Sequence, residues 1–380
     1  MKRLLKNLVK MSKIRENTAK TLVNIEISRS ALIYNLNQYK DIAPDHRIAP
    51  VLKSNAYGHG ISIVANELKD EKIPFFVIDS YFEAKALRSE GIKTPLLIIG
   101  YSSIESITKN RIENISFTIS NIDTLRDLSL NIKSPTNIHL KIDTGMHRHG
   151  IDAEEKDEAI KIIQGNKKII LEGICSHFSD ADGNDTRFTD KQIEKWNQLV
   201  KYFRANFPLL KYWHISASAG HAFTNAEANM SRLGIGLYGL ANIPGIKLKP
   251  ALEMKTIVTG VRKIKKGETV GYNNTFTATE DMTIATIPVG YNEGVDRRLS
   301  NSGFVKVGEK DCKIIGRVSM NITIINISSI KNVKVGDEIV VFSAKRSDSN
   351  SIENIAKICS TIVYEIIVHI PPYLRRIVVD

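Results

Sequence analysis

The sequence predicts an α/β protein with an N-terminal (β/α)8 barrel over residues 22–245 and a mainly β C-terminal domain over residues 246–380. Three observations predict this fold. From residue 22 onward, short apolar runs of buried-strand length alternate with segments of helical period. After about residue 245 the apolar runs follow one another closely, separated by turn-like stretches such as KKGE and KVGDE. A chain of 380 residues is also long enough for two domains.

The barrel prediction depends on eight candidate strands that are rich in β-branched and other apolar residues. In chain order they are residues 47–53, 75–79, 95–100, 115–120, 137–143, 171–178, 212–218 and 232–239. Helix-period segments such as ISIVANELKDE and YFEAKALRSEG follow the early strands. Eight strands with intervening helices are typical of a closed parallel barrel, in which catalytic residues lie at the carboxyl ends of the strands.

The C-terminal third has the pattern of a mainly β domain. Its apolar runs are IVTGVRKI, MTIATIPV, GFVKVG, CKIIGRV, TIINI and GDEIVVF. The stretches between them are short and rich in Gly, Lys and Asp, which favours turns over helices. The segment SIENIAKICS predicts one short helix near the end.

The net charge of +12 is unevenly distributed along the chain. Residues 1–20 hold seven basic residues and one acidic residue, so half of the excess lies there. We interpret residues 1–21 as a basic N-terminal arm, either a solvated extension or a short helix. The remaining excess is spread out, without a basic stripe interleaved with aromatic residues, which argues against a nucleic-acid partner.

Targeting and redox features are consistent with a cytoplasmic protein. The arm lacks an apolar run of the length that a signal peptide needs, and no later segment has the roughly 18 apolar residues of a membrane span. Cys175, Cys312 and Cys359 are widely spaced and form no CxxC or metal-ligand pattern. We therefore expect neither a disulfide framework nor a bound metal.

Lys53 ends the first barrel strand in the stretch APVLKSNAYGHG. A lysine in this position can simply extend its amine into solvent while its aliphatic stem packs on the strand. Alternatively, partial burial or nearby cations lower the pKa of the amine, so that it can form a Schiff base with a carbonyl compound. The stretch by itself leaves both interpretations open.

The residues around Lys53 closely resemble the pyridoxal-phosphate lysine motif of the alanine racemases, which are fold-type III pyridoxal-phosphate enzymes. Further matches follow in the same order: LKIDTGMHRHG (140–150), SHF (176–178), SRLGIGLYG (231–239), VGYNNTFT (270–277), IPVGYNEG (287–294), GRVSMN (316–321) and TIVYE (361–365). The resemblance extends from about residue 22 to residue 376. It implies a pyridoxal 5'-phosphate-dependent amino-acid racemase, an isomerase that interconverts L-alanine and D-alanine to supply peptidoglycan precursors.

The resemblance assigns two catalytic bases. Lys53 would bind the cofactor through its amine and act as one base at the substrate Cα. Tyr272 of the partner subunit would be the other base on the opposite face, which implies a homodimer with shared active sites. A phenol with a pKa near 10 is a poor base at neutral pH. His177 and Arg232 resemble the pair that favours its deprotonated form.

Arg232 matches the residue beside the cofactor's pyridine nitrogen. Arginine does not accept a proton from the ring, because its own pKa exceeds about 12. The ring would then withdraw electrons less strongly than in enzymes that place a carboxylate there. The resemblance therefore implies that racemisation is favoured over transamination.

Four further positions match the family's phosphate site: Tyr57, Ser218, Gly234 and Ile235. Glycine allows a backbone amide to approach an anion closely, which is the physical requirement for such a site. Tyr57 and Ser218 would add hydroxyl groups.

Other matches concern the substrate. Arg148 resembles the residue that contacts the cofactor's phenolic oxygen and the substrate carboxylate. Met320 matches the position whose backbone amide binds that carboxylate, and Tyr291 matches a tyrosine that lines the substrate's access path. Lys141 matches a lysine that is carbamylated in some relatives, and the sequence leaves its state here open.

The sequence departs from the family pattern at three positions. Pro372 stands where a phosphate-binding tyrosine is expected, so either Tyr373 replaces that tyrosine by a local shift or the contact is missing. Asn321 stands in place of an aspartate, and Ala217 in place of an asparagine.

These departures keep other substrates open, namely serine, lysine or a broad range of amino acids. A non-catalytic pyridoxal-phosphate-binding protein is a further alternative, but such proteins lack the second domain that contains Tyr272. A barrel decarboxylase is disfavoured by Arg232, because those enzymes place a carboxylate at the pyridine nitrogen.

Overall fold

The computed structural model describes residues 21–183, 185–243 and 245–380. The basic arm that we predict over residues 1–21 lies outside this range except for its last residue. The fold described below therefore begins at Thr21.

Eight parallel strands form the barrel, and each overlaps one of the eight predicted segments. They are β2 Arg47–Pro50, β3 Phe76–Ile78, β4 Leu96–Ile98, β5 Ile115–Ile119, β6 Thr136–Lys141, β7 Ile169–Cys175, β8 Tyr212–His214 and β9 Met230–Leu233. Strands β3 to β8 pair in chain order, and β2 pairs with β9. A bridge between Val51 and Val77 joins β2 to β3, and the Arg232 amide donates to the Ser216 carbonyl at 3.1 Å beside β8. The barrel is thereby closed.

The barrel strands are buried because helices cover the sheet. Every residue of β3, β4 and β5 is buried, as expected for parallel strands with helices outside and packed side chains inside. The helices are α1 Arg29–Ile42, α2 Ile61–Leu68, α3 Tyr81–Ser89, α4 Ile104–Thr108, α5 Ile122–Asn131, α6 Lys156–Gly165 and α7 Arg187–Asn206.

Local sequence signals set where these helices begin and which face they bury. Ser28, Ser80 and Asn121 act as N-caps, each accepting a hydrogen bond from the amide three residues later. The α7 helix buries Trp196, Val200 and other residues at spacings of three and four, which is the pattern of an amphipathic helix.

The remaining strands form the sheets of the C-terminal half, together with one strand from the start of the chain. They are β1 Asn24–Ser28, β10 Leu252–Ile257, β11 Gly260–Ile264, β12 Thr269–Val270, β13 Phe276–Thr277, β14 Met282–Ile287, β15 Phe304–Val307, β16 Lys310–Lys313, β17 Thr323–Asn326, β18 Glu338–Phe342 and β19 Arg375–Val379. Six of them form a sheet in the order β16-β15-β18-β10-β1-β19, and β11-β14-β17 form a second, antiparallel sheet. The predicted fold class is confirmed.

Two helices lie between β18 and β19. They are α8 Ile352–Ile358, which confirms the helix predicted from SIENIAKICS, and α9 Val363–Val368. Strand β1 pairs antiparallel with β10 and parallel with β19, so the start of the described chain contributes to the C-terminal sheet. The division of the chain at residue 245 stays a prediction.

Across the described ranges, no helix combines the length and the apolar character that crossing a membrane requires. The same residues contain no group of three or more His, Cys, Asp or Glu side chains arranged to hold a metal ion. Cys175, Cys312 and Cys359 are buried free thiols.

Candidate active site

The chain leaves β2 through a left-handed turn that begins at Lys53. Ser54, Asn55, Ala56 and Tyr57 all have φ between 51° and 56°. Each non-glycine residue in this region costs about 1 kcal/mol or more, so four in succession require compensation from their surroundings.

Side chains on neighbouring elements hold this turn. The Ser54 amide donates to Glu83 Oε1 at 2.7 Å, and Asn55 Oδ1 accepts from the Ile61 amide at 3.0 Å. The turn ends at Gly58, where a Cβ would lie 2.0 Å from the carbonyl oxygen of Ile367 in α9. The turn is therefore fixed from both halves of the molecule, and it directs the chain away from the strand immediately after Lys53.

A cavity of about 1100 Å³ opens at the carboxyl ends of the barrel strands. All eight predicted site residues of the barrel line it: Lys53, Tyr57, Arg148, His177, Ser218, Arg232, Gly234 and Ile235. They come from positions separated by up to 182 residues in the sequence, so the barrel brings the predicted set together.

The cavity wall is rich in cationic groups. Lys53, Lys141, Arg148 and Arg232 all line it. Asp79 Oδ1 lies 3.9 Å from Lys53 Nζ, but both side chains are partly exposed, so this pair is weak. Burial lowers the pKa of Lys141, and the charges of Arg232, Arg148 and Lys53 lower it further. A wall of this kind favours an anionic ligand.

Arg232 is buried and is held by backbone carbonyls. Its Nη1 donates to the His214 carbonyl at 3.0 Å, and its Nη2 donates to the carbonyls of Ser176 and Ile215 at 2.7 and 2.8 Å. Within the described residues it forms no ion pair with a carboxylate. Burial lowers the pKa of Arg232, yet a guanidinium stays charged in proteins. It is therefore a fixed cation and hydrogen-bond donor at the cavity wall.

His177 is a neutral hydrogen-bond acceptor of Arg232. Arg232 Nη2 lies 3.2 Å from His177 Nδ1, and because arginine has only donors, Nδ1 must be the acceptor. The ring then has its proton on Nε2. Burial lowers the pKa of His177 to about 3, and the positive charges of Arg232 and Arg148 act in the same direction. The remaining N–H is available to donate to an anionic oxygen.

Hydroxyls and glycines form one end of the cavity. Ser218 Oγ accepts a hydrogen bond from the Gly236 amide at 3.0 Å. A Cβ at Gly234 would lie 2.9 Å from Tyr57 Oη, so the phenol packs directly over that glycine. Backbone and hydroxyl groups this close together suit the oxygens of a phosphate.

Three predicted site residues lie elsewhere. Tyr272, Tyr291 and Met320 belong to the C-terminal half, are exposed by 69%, 44% and 57%, and do not line the cavity of their own chain. Tyr291 begins a short 3-10 helix that lies against the segment of Met320, since the Tyr291 amide donates to the Ser319 carbonyl and the Asn292 amide to the Met320 carbonyl. The barrel residues and these three residues therefore form two separate groups within one chain.

Comparison with known families decides which family the chain belongs to. The model of the alanine racemase N-terminal domain matches residues 27–242, and that of the alanine racemase C-terminal domain matches residues 251–378. The chain belongs to the alanine racemase family. The family predicted from the motifs is thus confirmed.

Individual relatives agree with this assignment. A protein of Fusobacterium nucleatum named alanine racemase is 35% identical over 93% of this chain and 99% of its own length. Alanine racemase 2 of Bacillus subtilis is 32% identical over 90% of this chain and 91% of its own. Among solved structures, an alanine racemase of Clostridium difficile superposes with a TM-score of 0.88 at 29% identity, covering 95% of this chain and 96% of the other.

The alanine racemase motifs did not lead us to expect Tyr364 in the site. Tyr364 lines the cavity, and its ring centroid lies 5.7 Å from that of Tyr57. Tyr373, which we considered as a replacement at Pro372, instead donates its hydroxyl to the Asn292 carbonyl at 3.0 Å and does not line the cavity. Tyr364 belongs to the TIVYE motif (361–365), so the sequence does contain a signal for it.

The departure at Asn321 has a local explanation. Asn321 Nδ2 donates to Glu293 Oε1 at 2.7 Å, and Asn292 Nδ2 donates to the same oxygen at 3.0 Å. Glu293 is buried, and its other oxygen accepts from the Gly290 amide at 2.9 Å. An amide at position 321 satisfies this carboxylate, whereas a second carboxylate would repel it.

Proposed function

We propose that this member of the alanine racemase family interconverts L-alanine and D-alanine with pyridoxal 5'-phosphate bound in the barrel cavity. The observation that carries the proposal is Arg232, a buried guanidinium at the cavity wall with carbonyl partners. The names of the relatives supply the amino acid, alanine, and the family supplies the cofactor.

The residues of the cavity fit this cofactor. Gly234 lies under the Tyr57 hydroxyl, and Ser218 and Tyr364 face the same space, which gives a phosphate both backbone and hydroxyl donors. Lys53 contributes a primary amine at the end of its strand, the group that binds an aldehyde covalently. Thr118 Oγ1, buried on β5 beside the cavity, has no hydrogen-bond partner among the described residues and is free to contact a ligand.

When bound, pyridoxal phosphate withdraws electrons from the substrate Cα and so makes its proton acidic. We assign the removal and return of that proton to two groups. Lys53 acts on one face of Cα, and Tyr272 of the partner subunit acts on the other. Two bases are needed because inversion requires the proton to leave one face and a proton to arrive at the opposite one.

Arg232 would act on the cofactor ring, and His177 would act on the second base, Tyr272. Arg232 can donate hydrogen bonds but cannot accept a proton, so beside the cofactor's ring nitrogen it would keep that nitrogen unprotonated, which would favour the return of a proton to Cα. His177, neutral and protonated on Nε2, is suited to donate to the oxygen of Tyr272 and to stabilise its phenolate. Arg148, on the cavity wall, supplies a cation for the substrate carboxylate.

A homodimer with shared active sites completes the proposal. Tyr272 and Met320 are large, exposed and absent from the lining of their own cavity, which is the arrangement expected if they serve the cavity of a second copy. We also propose that the enzyme acts in the cytoplasm and supplies D-alanine for peptidoglycan. Growth of a deletion strain that depends on added D-alanine would support that role.

The test is direct. Purified protein supplied with pyridoxal phosphate should develop a visible absorption band and should form D-alanine from L-alanine. Replacement of Lys53 by Ala should abolish both, whereas Lys109→Ala, at an exposed lysine on α4's C-terminal side, should change neither. Absence of the band in wild-type protein would refute the cofactor assignment.

A racemase for serine, lysine or several amino acids is the second candidate, favoured by Ala217 in the cavity lining at a position where the family often has asparagine. Turnover on a panel of L-amino acids distinguishes the two. Activity on another amino acid without activity on alanine would exclude the alanine assignment.

A further inference from the structure

Two buried histidines extend from Arg232 into the interior of the barrel. His214 Nδ1 contacts Arg232 Nη1, and His214 Nε2 lies 2.9 Å from His139 Nδ1. Both imidazoles are fully buried. His139 Nε2 in turn lies 3.6 Å from Glu172 Oε2 and has no closer hydrogen-bond partner among the described residues.

The N–H donors of Arg232 determine which nitrogen of His214 and of His139 is protonated. Arg232 can only donate, so His214 Nδ1 accepts and His214 has its proton on Nε2. That N–H donates to His139 Nδ1, which leaves the proton of His139 on Nε2, directed at Glu172. The carboxylate can only accept when it is ionised. Both hydrogen bonds therefore run in one direction, from Arg232 through His214 to His139, and the remaining N–H of His139 faces Glu172 Oε2 at 3.6 Å.

Glu172, the last residue of the relay, is kept ionised by its neighbours. Ser116 Oγ donates to its Oε2 at 2.6 Å, and Lys211 Nζ lies 3.5 Å from its Oε1. Burial raises the pKa of Glu172, but the contacts with His139, Ser116 and Lys211 outweigh it and lower the pKa to about 2. Glu172 is therefore negatively charged at any pH at which the enzyme would work.

The surrounding barrel is shaped for the His139 ring. Gly173 pairs with His139 across β6 and β7, and a Cβ at Gly173 would lie 2.6 Å from His139 Nδ1. Tyr212 stacks on the ring, and Phe75 meets it edge-on with a centroid distance of 5.6 Å. Any larger residue at 173 would displace the nitrogen that receives the bond from His214.

We propose that His214, His139 and Glu172 form a directional relay of polar contacts that orients the Arg232 guanidinium toward the cavity and places a carboxylate counter-charge at its far end. His139 and Glu172 are positioning residues in this proposal, because neither lines the cavity. Reversing the relay would place a His214 Nδ1–H against an Arg232 N–H, which would push the guanidinium out of place. The proposal deepens the proposed function, since it concerns the arginine that would contact the cofactor.

The first test measures the proton positions themselves. In holoenzyme containing ¹⁵N-labelled histidine, two-bond nitrogen–proton correlation spectra should show His139 and His214 as neutral rings protonated on Nε2, assigned by comparison with His139→Gln and His214→Gln protein. Protonation of either ring on Nδ1, or an imidazolium at neutral pH, would overturn the relay. This result does not depend on which reaction the protein catalyses.

The second test changes the anionic end. Glu172→Gln keeps the shape but removes the charge and adds donors, so we expect the His139 ring to populate a second tautomer and kcat to fall about tenfold with KM little changed. Glu172→Asp, which keeps the charge, should restore the single tautomer.

Phe75→Leu is the matched packing control for these variants, because Phe75 touches the His139 ring without a hydrogen bond. It should leave the tautomers as they are in the wild type. A single unchanged tautomer in Glu172→Gln would refute the role of Glu172. Loss of the tautomer in the packing control would equally count against the relay. If the relay is intact but no amino acid is racemised, the proposed function fails and the relay stands.

Discussion

The barrel and the C-terminal half contribute to the candidate site in different ways. Eight predicted residues of the barrel converge on one cavity, and Arg232 among them is held by three backbone carbonyls. The three predicted residues of the C-terminal half, Tyr272, Tyr291 and Met320, are exposed on the surface. One chain thus brings together the groups that would bind the cofactor. Tyr272, the proposed second base, would act only in the site of a partner subunit.

The largest effect is expected from mixing two inactive variants. Lys53→Ala and Tyr272→Phe should each reduce racemisation by at least about a thousandfold, in at least one direction for the tyrosine variant. If each site combines Lys53 of one chain with Tyr272 of its partner subunit, hybrid dimers contain one intact site. Random reassortment of an equal mixture should then restore about a quarter of the wild-type activity.

The same mixture distinguishes the alternative arrangement. If Lys53 and Tyr272 acted within one chain, every site in the mixture would lack one base. The mixed sample, unfolded and refolded together, would stay inactive, and the proposal of shared sites would be wrong. Refolded wild-type protein is the control for recovery.

A second prediction concerns stability and separates the two halves directly. Arg232→Met leaves buried carbonyls and the ring of His177 without their donor, so the free energy of unfolding should fall by about 3 kcal/mol or more. Tyr272→Phe removes one exposed hydroxyl and should change it by less than about 0.5 kcal/mol. Urea unfolding of both variants measures the difference. If both variants lost the same free energy of unfolding, the proposed difference between the barrel site and the exposed C-terminal residues would be wrong.

A third prediction uses the pH dependence of His59, which is fully buried behind the left-handed turn. Its Nδ1 lies 3.1 and 3.0 Å from the carbonyls of Ala56 and Tyr57, to which it donates as a neutral ring, and burial lowers its pKa to about 4. Because the folded pKa lies below the unfolded value near 6.5, the stabilisation is complete above pH 6.5 and is lost as the pH falls toward 4.

At pH 4.5 this loss amounts to about 2 to 3 kcal/mol relative to pH 7. His59→Asn keeps a donor near the same carbonyls but does not titrate, so its free energy of unfolding should decline less over this range. His147→Asn makes the same substitution at a side chain that is 83% exposed and serves as the surface control. Identical slopes for wild type and His59→Asn would refute the assignment.

The smallest effect is expected at Asn321. Asn321→Asp places a second carboxylate against Glu293 and should lower the free energy of unfolding by about 1 kcal/mol at pH 7. Adding Glu293→Gln should recover most of that loss. A stable single variant with altered amino-acid preference would instead indicate that Asn321 acts on the substrate.

The fold could be predicted largely because strand and helix patterns are local. Each of the eight barrel strands is a short run of apolar residues, and each overlaps the observed strand. Strand β1 shows the limit of this approach. Its partners β10 and β19 lie more than 200 residues away, and no local pattern states which strands will pair.

Site residues could be predicted where a short motif contains them. They could not be predicted where only the three-dimensional arrangement of distant residues brings them to the site. Lys53, Arg232 and Tyr272 followed from motifs. The left-handed turn at Ser54 to Tyr57 did not, because a run of non-glycine residues gives no sign of positive φ. Glu172 and His139 lie within the strand segments LEGICSHF and NIHLKID, and only the register of the barrel brings them into line with Arg232.

The position of β1 has a consequence for the order of events during folding. The side chains of Glu26 and Lys255 bond at 2.9 Å although 229 positions separate them, and Ser28 pairs with Val379 at the other end of the chain. Closing so long a loop is entropically costly and slow. During synthesis, β1 has no strand to pair with until β10 has emerged, by which time every barrel strand has been made. We expect pulsed hydrogen exchange to protect the amides of β3 to β8 before those of β1, so that the barrel cavity forms first and the chain ends join last.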